Sequence, residues 1–419
     1  MPRPKPPSRI DTVATPLFGI CWFGDPGDGT DIVAHCGGGG SAATGVKNIV
    51  TVKIAGAEED LIISTGDQIG VALSVVRNPL SGKIYLYVAL GNKVKSYSLP
   101  DGREVGELDV CDSVNALSLN SMTDRIAVGT ENGTVKIYSI DVDEMQADPL
   151  HEMLGHSKAV CSVAWSPRGN SLVSSAKDGT ARVWKDGEAF AELKCSIIDP
   201  RGPPPKRIGQ ILVRGCAFGD LEGKVIYTVA SGRRGKAFLS AWELKGDQFE
   251  CAVRTECSPN PVSAMSLSGD AGLLALGATD GTVILWGVER WKPMKKFPEV
   301  HDLPVTCIAA RPFPVPLNGD EDGVQMHALS ASADSQLAWI TLESKSKGGK
   351  GSQRSFKSSV NMLVRTAIVT SMCYPLANEM WCKCEDELAT NGLGKMIQCI
   401  RDDVLVASNS RPGILVPPY

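Results

Sequence analysis

Gly40-Ser-Ala-Ala-Thr-Gly45-Val-Lys47-Asn48 is two departures away from a phosphate-binding loop. In that loop, G-x-x-x-x-G-K-[ST], backbone amides cradle phosphate, the lysine reaches its outer oxygens and the hydroxyl holds magnesium. Here Val46 separates Gly45 from Lys47, and Asn48 stands where the hydroxyl belongs. The chain then enters Ile49-Val-Thr-Val-Lys-Ile54, a strand-like run that offers no helix N-terminus to an anion. Both departures argue against nucleotide hydrolysis. The stretch begins with four consecutive glycines, Gly37 to Gly40. Glycines are costly to order, so the run is either a flexible hairpin tip or a place of unusual angles and close approach. Converging carbonyls there would suit a cation and converging amides an anion; the residues alone leave that choice open.

Other candidates for chemistry are sparse. His35 and Cys36 adjoin the glycines, but no second Cys/His pair has metal-ligand spacing, so an apolar-flanked strand end is the simpler home. Cys382-Lys-Cys384 with Cys399 leaves zinc ligands, a disulfide and free thiols all open. No Ser/His/Asp set or carboxylate pair stands out, so no bond-making enzyme is expected. The 13 cysteines lack framework spacing, and Cys21, Cys161, Cys216 and Cys307 sit in apolar runs. Such thiols act as small hydrophobes, which fits a reduced, cytosol-facing main domain. The 419 residues carry a net charge of −4, which argues against broad capture of nucleic acid. The start, Met-Pro-Arg-Pro-Lys-Pro-Pro, has no apolar stretch, so no cleaved signal peptide is expected.

The elements that must position these residues come from an internal repeat. Gly155 to Lys185 holds a Gly-His pair, an alternating strand (Val160 to Trp165), a Ser-Pro-x-Gly turn, a second strand (Leu172 to Ser175), an Asp-Gly turn and a third strand ending at Val183-Trp184. It resembles the WD repeat, and Gly155-His156 with Asp178 resembles that repeat's structural hydrogen-bond set. Val114 to Tyr138 and Val262 to Trp286 repeat the order, with Asn132-Gly133 and Asp280-Gly281 as turns. Val305 to Trp339 is stretched around Leu317 to Gly323, and Val213 to Trp242 replaces the tight turn by Ser231-Gly-Arg-Arg-Gly-Lys236. Degenerate copies run from Val71 to Tyr97 and from Leu17 to Val52. First strands recur roughly every 43 to 54 residues, near the ~40–45 of this repeat class. The expected fold is all-β: a seven-bladed WD-repeat β-propeller over residues 10–343 with a C-terminal tail. Pro200-Arg-Gly-Pro-Pro-Pro-Lys-Arg207 reads as a loop between blades or a ligand for peptide grooves.

Alignment of the copies places Cys36 to Lys47 where other blades close with a two-residue turn, on the face carrying the loops between blades. Gly37-Gly-Gly-Gly40, a short polar stretch and Gly45-Val-Lys-Asn48 before a strand resemble the signature loop of the prolactin regulatory element-binding protein family. These are endoplasmic-reticulum exchange factors that start COPII coat assembly. The resemblance covers about residues 10 to 343 and extends more weakly to Lys236-Ala-Phe-Leu-Ser-Ala-Trp242. It implies GDP/GTP exchange on the small GTPase of the COPII coat, at the cytosolic face of the endoplasmic reticulum. It implies a GTPase-contacting loop of Gly37, Gly38, Gly39, Gly40, Ser41, Thr44, Gly45, Val46 and Asn48, and a potassium ion held at that loop with Asn48 as a ligand. The alternative is a cytoplasmic WD-repeat scaffold without exchange activity.

After Leu342 the pattern stops. Residues 344–357 read as a basic flexible linker with Lys345, Lys347, Lys350, Arg354 and Lys357. Residues 358–381 read as a single membrane-spanning or amphipathic segment, and 382–419 as a short tail. The apolar run Val360 to Ala377 carries Asn361, Arg365 and Pro375, a poor span where that family has a clear anchor. The basic flank fits a cytosolic propeller.

Overall fold

The period-two alternation of the repeats is realised as seven four-stranded antiparallel sheets. A computed structural model of the chain describes residues 9–25, 28–41, 44–78, 81–120, 125–140, 148–198, 209–312 and 326–342. All of them lie in one compact unit, Met1–Ser344. The insertion near Leu317 to Gly323, the stretch Pro200 to Arg207, the segments 344–357 and 358–381 and Cys382, Cys384 and Cys399 lie outside the described residues.

Blade one consists of Leu17–Asp25, Thr30–Gly37, Asn48–Ile54 and Leu61–Gly66, ordered from the inner to the outer strand. Blades two to six open on the inner strands Gly70–Arg77, Val114–Leu119, Val160–Trp165, Leu212–Phe218 and Val262–Leu267. Each follows the chain through four consecutive strands. Blade seven takes Val305–Ala310, Met326–Ser332 and Gln336–Thr341, then borrows its outer strand, Arg9–Thr12, from the other end of the chain.

That borrowed strand is absent from the sequence expectations. It pairs antiparallel with blade seven, Arg9 opposite Trp339 and Thr12 opposite Gln336. The Trp339 indole donates to Asp11 Oδ2 at 2.9 Å, and the Arg9 guanidinium sits 5.5 Å from the Trp339 ring centre. Burial alone would raise the Asp11 carboxyl, but its bonds from Arg9 and Trp339 hold it below its ordinary range.

No single core fills the ring. Buried apolar side chains gather into seven clusters, each drawn from two adjacent blades. A blade on its own would leave both sheet faces wet; stacking covers them. The smallest cluster, Leu17, Trp22, Val33, Ala309, Leu329, Ala331 and Leu337, lies at the seam of blades one and seven. There the apolar layer is supplemented by the Trp22–Trp339 edge contact at 6.2 Å and by the N-terminal strand.

Candidate functional site

The glycine loop joins the second and third strands of blade one. Antiparallel order puts this hairpin on the same face as the chain passing from each blade to the next. Gly37 ends the second strand, opposite Leu17 and Ile49. A Cβ there would stand 1.7 Å from the Pro16 carbonyl oxygen, so only glycine fits. Gly38 then donates its amide to the same Pro16 oxygen at 3.0 Å. Its φ is +153°, and a Cβ would meet Asn48 Oδ1 at 2.1 Å. Both residues are buried. The glycine run is thus an ordered close approach and not a loose tip.

Asn48 explains the order. It is 3% exposed. Its Oδ1 accepts the Gly40 amide at 3.0 Å, and its Nδ2 donates to the Gly40 carbonyl at 2.6 Å and the Gly66 carbonyl at 2.8 Å. The side-chain amide therefore pairs with the N–H and the C=O of Gly40, as a neighbouring strand would, and ties the loop base to the outer strand. Buried polar groups so satisfied rigidify their surroundings. On the return limb, the Thr44 amide and hydroxyl both donate to the Ser41 carbonyl, at 3.1 and 3.0 Å. The Thr44 hydroxyl in turn accepts the Val46 amide at 3.4 Å.

The expected contact residues divide accordingly. Gly37, Gly38 and Asn48 are interior and hold the loop, while Gly39 and Gly40 are partly covered. Ser41, Thr44, Gly45 and Val46 are exposed beside Lys47, with Val46 36% exposed. The segment from Gly37 to Asn48 contains no carboxylate. Its oxygen donors are carbonyls, hydroxyls and Asn48 Oδ1, a neutral set of the kind that suits potassium. Among the described residues, no group of His, Cys, Asp and Glu is placed to hold a metal.

His35 and Cys36 are both buried. Cys36 packs in the layer between blades one and two, where burial pushes its thiol well up. His35, two positions from Val33, shares its face toward blade seven. Its Nε2 has no hydrogen-bond partner among the described residues. Burial, then the charge of Lys53, pull the imidazole down to about 4, against weaker opposition from Asp60 and Asp11. Between pH 6.5 and 4 the unfolded chain therefore binds the extra proton. Stability is full above about pH 6.5 and is lost as pH falls through 4, by about 3 kcal/mol. His301 is also held low by burial, so the diagnostic is a difference. Urea melts at pH 7 and 4.5 are expected to show a smaller pH penalty for His35→Met than for the unsubstituted chain; equal penalties would contradict the assignment.

The Gly-His and Asp positions of blade four form a buried pin, as expected. His156 Nδ1 lies 3.0 Å from Asp178 Oδ2, and its Nε2 lies 2.8 Å from Ser174 Oγ, which accepts the Trp184 indole at 2.8 Å. Burial would raise the Asp178 carboxyl, but bonds from His156 and Thr180 hold it far below its ordinary range. His301, Asp334 and Ser330 repeat the arrangement in blade seven, at 3.1 and 2.9 Å.

Comparison with known proteins matches this geometry. The WD domain, G-beta repeat family matches residues 102–139 and 147–185. Each match begins before or at the outer strand of one blade and ends on the third strand of the next. The sequence repeat is thus offset from the blade and links neighbours. Similar proteins include WD repeat and HMG-box DNA-binding protein 1 of Xenopus laevis, 23% identical over 55% of this chain and 20% of that protein. Denticleless protein homolog B of Xenopus laevis is 36% identical over 18% of this chain and 11% of its own length. Protein tipD of Dictyostelium discoideum is 23% identical over 48% of this chain and 29% of its length. The chain spans less than a third of each of these relatives. Repeat, blade order and structural pins agree: the chain is a WD40-repeat protein with a seven-bladed β-propeller.

Proposed function

We propose that the chain is a protein-interaction scaffold, and that its blade-one loop gives it one particular partner, the small GTPase of the COPII coat, on which it acts as a guanine nucleotide exchange factor. The scaffold class is supported by the WD-repeat propeller, a rigid ring that presents loops on one face. The finer reading is carried by one observation. The four glycines and Gly45-x-x-Asn48 fold into a loop pinned at its base by Asn48, with Ser41, Thr44, Gly45 and Val46 turned outward.

An exchange factor makes and breaks no covalent bond. It binds the nucleotide-free GTPase more tightly than the loaded form, so nucleotide leaves faster. A loop already ordered in the free propeller loses little entropy on docking, which leaves more of its contact energy for that difference. The exposed tip would press on the GTPase segments around the nucleotide, while Gly37, Gly38 and Asn48 hold it in register. Potassium, bound by loop carbonyls and the remaining lone pair of Asn48 Oδ1, would supply a positive charge that draws those carbonyls together. The segment 358–381 would hold the propeller at the cytosolic face of the endoplasmic reticulum; resistance of the full chain, but not of one ending at Leu342, to carbonate extraction tests that.

The second reading, a scaffold without exchange activity, is favoured by the relatives, whose common feature with this chain is the WD repeat. The two separate when the full chain is mixed with GTPase loaded with fluorescent GDP. Exchange predicts co-elution and faster nucleotide release. A plain scaffold predicts co-elution with an unchanged rate, and absence of both overturns the loop as a GTPase contact.

A further inference from the structure

Blade five has the other hairpin on this face that departs from a tight turn, Ser231-Gly-Arg-Arg-Gly-Lys236. Beside it a cavity of about 410 Å³ opens among blades four, five and six. Its lining includes Lys177, Gln210, Arg214 and Arg233 together with apolar Leu212 and Val262.

Arg214 arrives there through a feature shared by all seven blades. Each inner strand slips register once, at Leu17/Gly19, Gly70/Ala72, Val114/Ala116, Val160/Ser162, Val213/Gly215, Val262/Ala264 and Val305/Cys307. The extra residue leaves the ladder, and a bulge re-aims its side chain. In three blades that side chain bonds the next inner strand: Asn115 to the Val160 carbonyl, Ser263 to that of Val305 and Thr306 to that of Leu17. Blade five places a cation, Arg214, at this position, and it lines the cavity.

The charge there is incompletely balanced. Lys177 faces Glu131 at 3.4 Å, and Lys236 pairs with Glu256 at 2.6 Å. Arg214 and Arg233 make no ion pair among the described residues. Gln210 braces the group, donating to the Lys177 carbonyl at 2.9 Å and accepting from Arg233 at 3.4 Å.

We propose that this cavity binds an anionic group on an acidic segment of a partner protein, gripped by Arg214 and Arg233 with Lys177 alongside. A planar guanidinium matches a carboxylate or phosphoryl group with two parallel bonds. Apolar Leu212 and Val262 in the same lining suit the neighbouring side chains of a peptide. A lipid surface is instead met by about four to eight exposed basic residues. The site shares no residue with the blade-one loop, so its failure leaves that reading intact, and the converse holds.

The test is fluorescence anisotropy of the full chain with short labelled peptides of one Ala/Leu host sequence, carrying a central run of glutamate, a central phosphoserine, or glutamine instead. At least one acidic peptide is expected to bind about tenfold tighter than the glutamine peptide, and more weakly as salt rises. Arg214→Met with Arg233→Glu is expected to remove that preference, while Arg234→Glu, in the same hairpin but off the cavity wall, retains most of it. Met keeps the apolar stem of Arg214. If the double variant fails to fold, Arg233→Glu alone, at an exposed position, is expected to lose at least about threefold. Tighter binding of phosphoserine than glutamate assigns the phosphoryl group, and the reverse assigns the carboxylate. No preference for either acidic peptide, or a preference that survives the variants, overturns the proposal. So does cavity-dependent binding to phosphatidylserine vesicles without peptide binding.

Discussion

A chain that begins at Ala14 is expected to melt roughly 4–9 °C below the full chain. The missing strand pairs with Gln336 to Trp339, and Val13 donates to the Ser335 carbonyl at 2.9 Å. Its loss strips Trp339 of both the Asp11 acceptor and the Arg9 cation. It also leaves the third strand of blade seven as an unpaired edge at the ring's smallest apolar seam. Several backbone bonds at about 1 kcal/mol each, plus the uncovered aromatic surface, sum to the order of 3–6 kcal/mol. Differential scanning calorimetry measures this directly. An unchanged melting temperature would mean that the ring closes through blades one and seven alone.

Asn48→Ala is expected to separate loop order from ring stability. It removes three hydrogen bonds and leaves the Gly40 amide, the Gly40 carbonyl and the Gly66 carbonyl without them. Gly40 is partly exposed, so water can replace some of the loss and the cost stays near 1–3 kcal/mol. The seven interblade layers are untouched, so the ring still melts cooperatively within a few degrees of the unsubstituted chain. The loop, however, must then be ordered by its partner, and docking is expected to weaken by about tenfold or more. Hydrogen exchange supplies a readout that needs no partner: the Gly40 amide should lose protection while Val50 and Val52, in the adjacent strand, keep theirs. Unchanged protection at Gly40 would show that the Asn48 amide is not what orders the loop.

The blades were legible because their turns are chemically distinctive. Asn132-Gly133, Asp178-Gly179 and Asp280-Gly281 mark the same junction in three copies, and the strands between them alternate. The closing strand was not legible. Arg-Ile-Asp-Thr is four residues long, follows a proline-rich start and finds its partner more than three hundred positions away. Local pattern carries no trace of such pairing. The loop was legible as an insertion, and Asn48 as the residue that closes its Gly45-Val-Lys-Asn48 motif. The dependence of Gly37 on the Pro16 carbonyl and of Asn48 on Gly66 was not, since both contacts depend on how blade one folds back on itself. Nothing in the local pattern singles out Arg214; the register slip that places it appears only in three dimensions.

The exposed tip of the blade-one loop is the part proposed to act on a GTPase. Val46 is at that tip, 36% exposed and lying against Gly39, and it belongs to none of the seven apolar clusters among the described residues. Release of fluorescent GDP from the COPII GTPase, followed with the full chain and with Val46→Asp, tests the claim most directly. The expected result is acceleration of about tenfold or more by the full chain, abolished by Val46→Asp at an unchanged melting temperature. No acceleration by the full chain, or equal acceleration by the Val46→Asp chain, would contradict it.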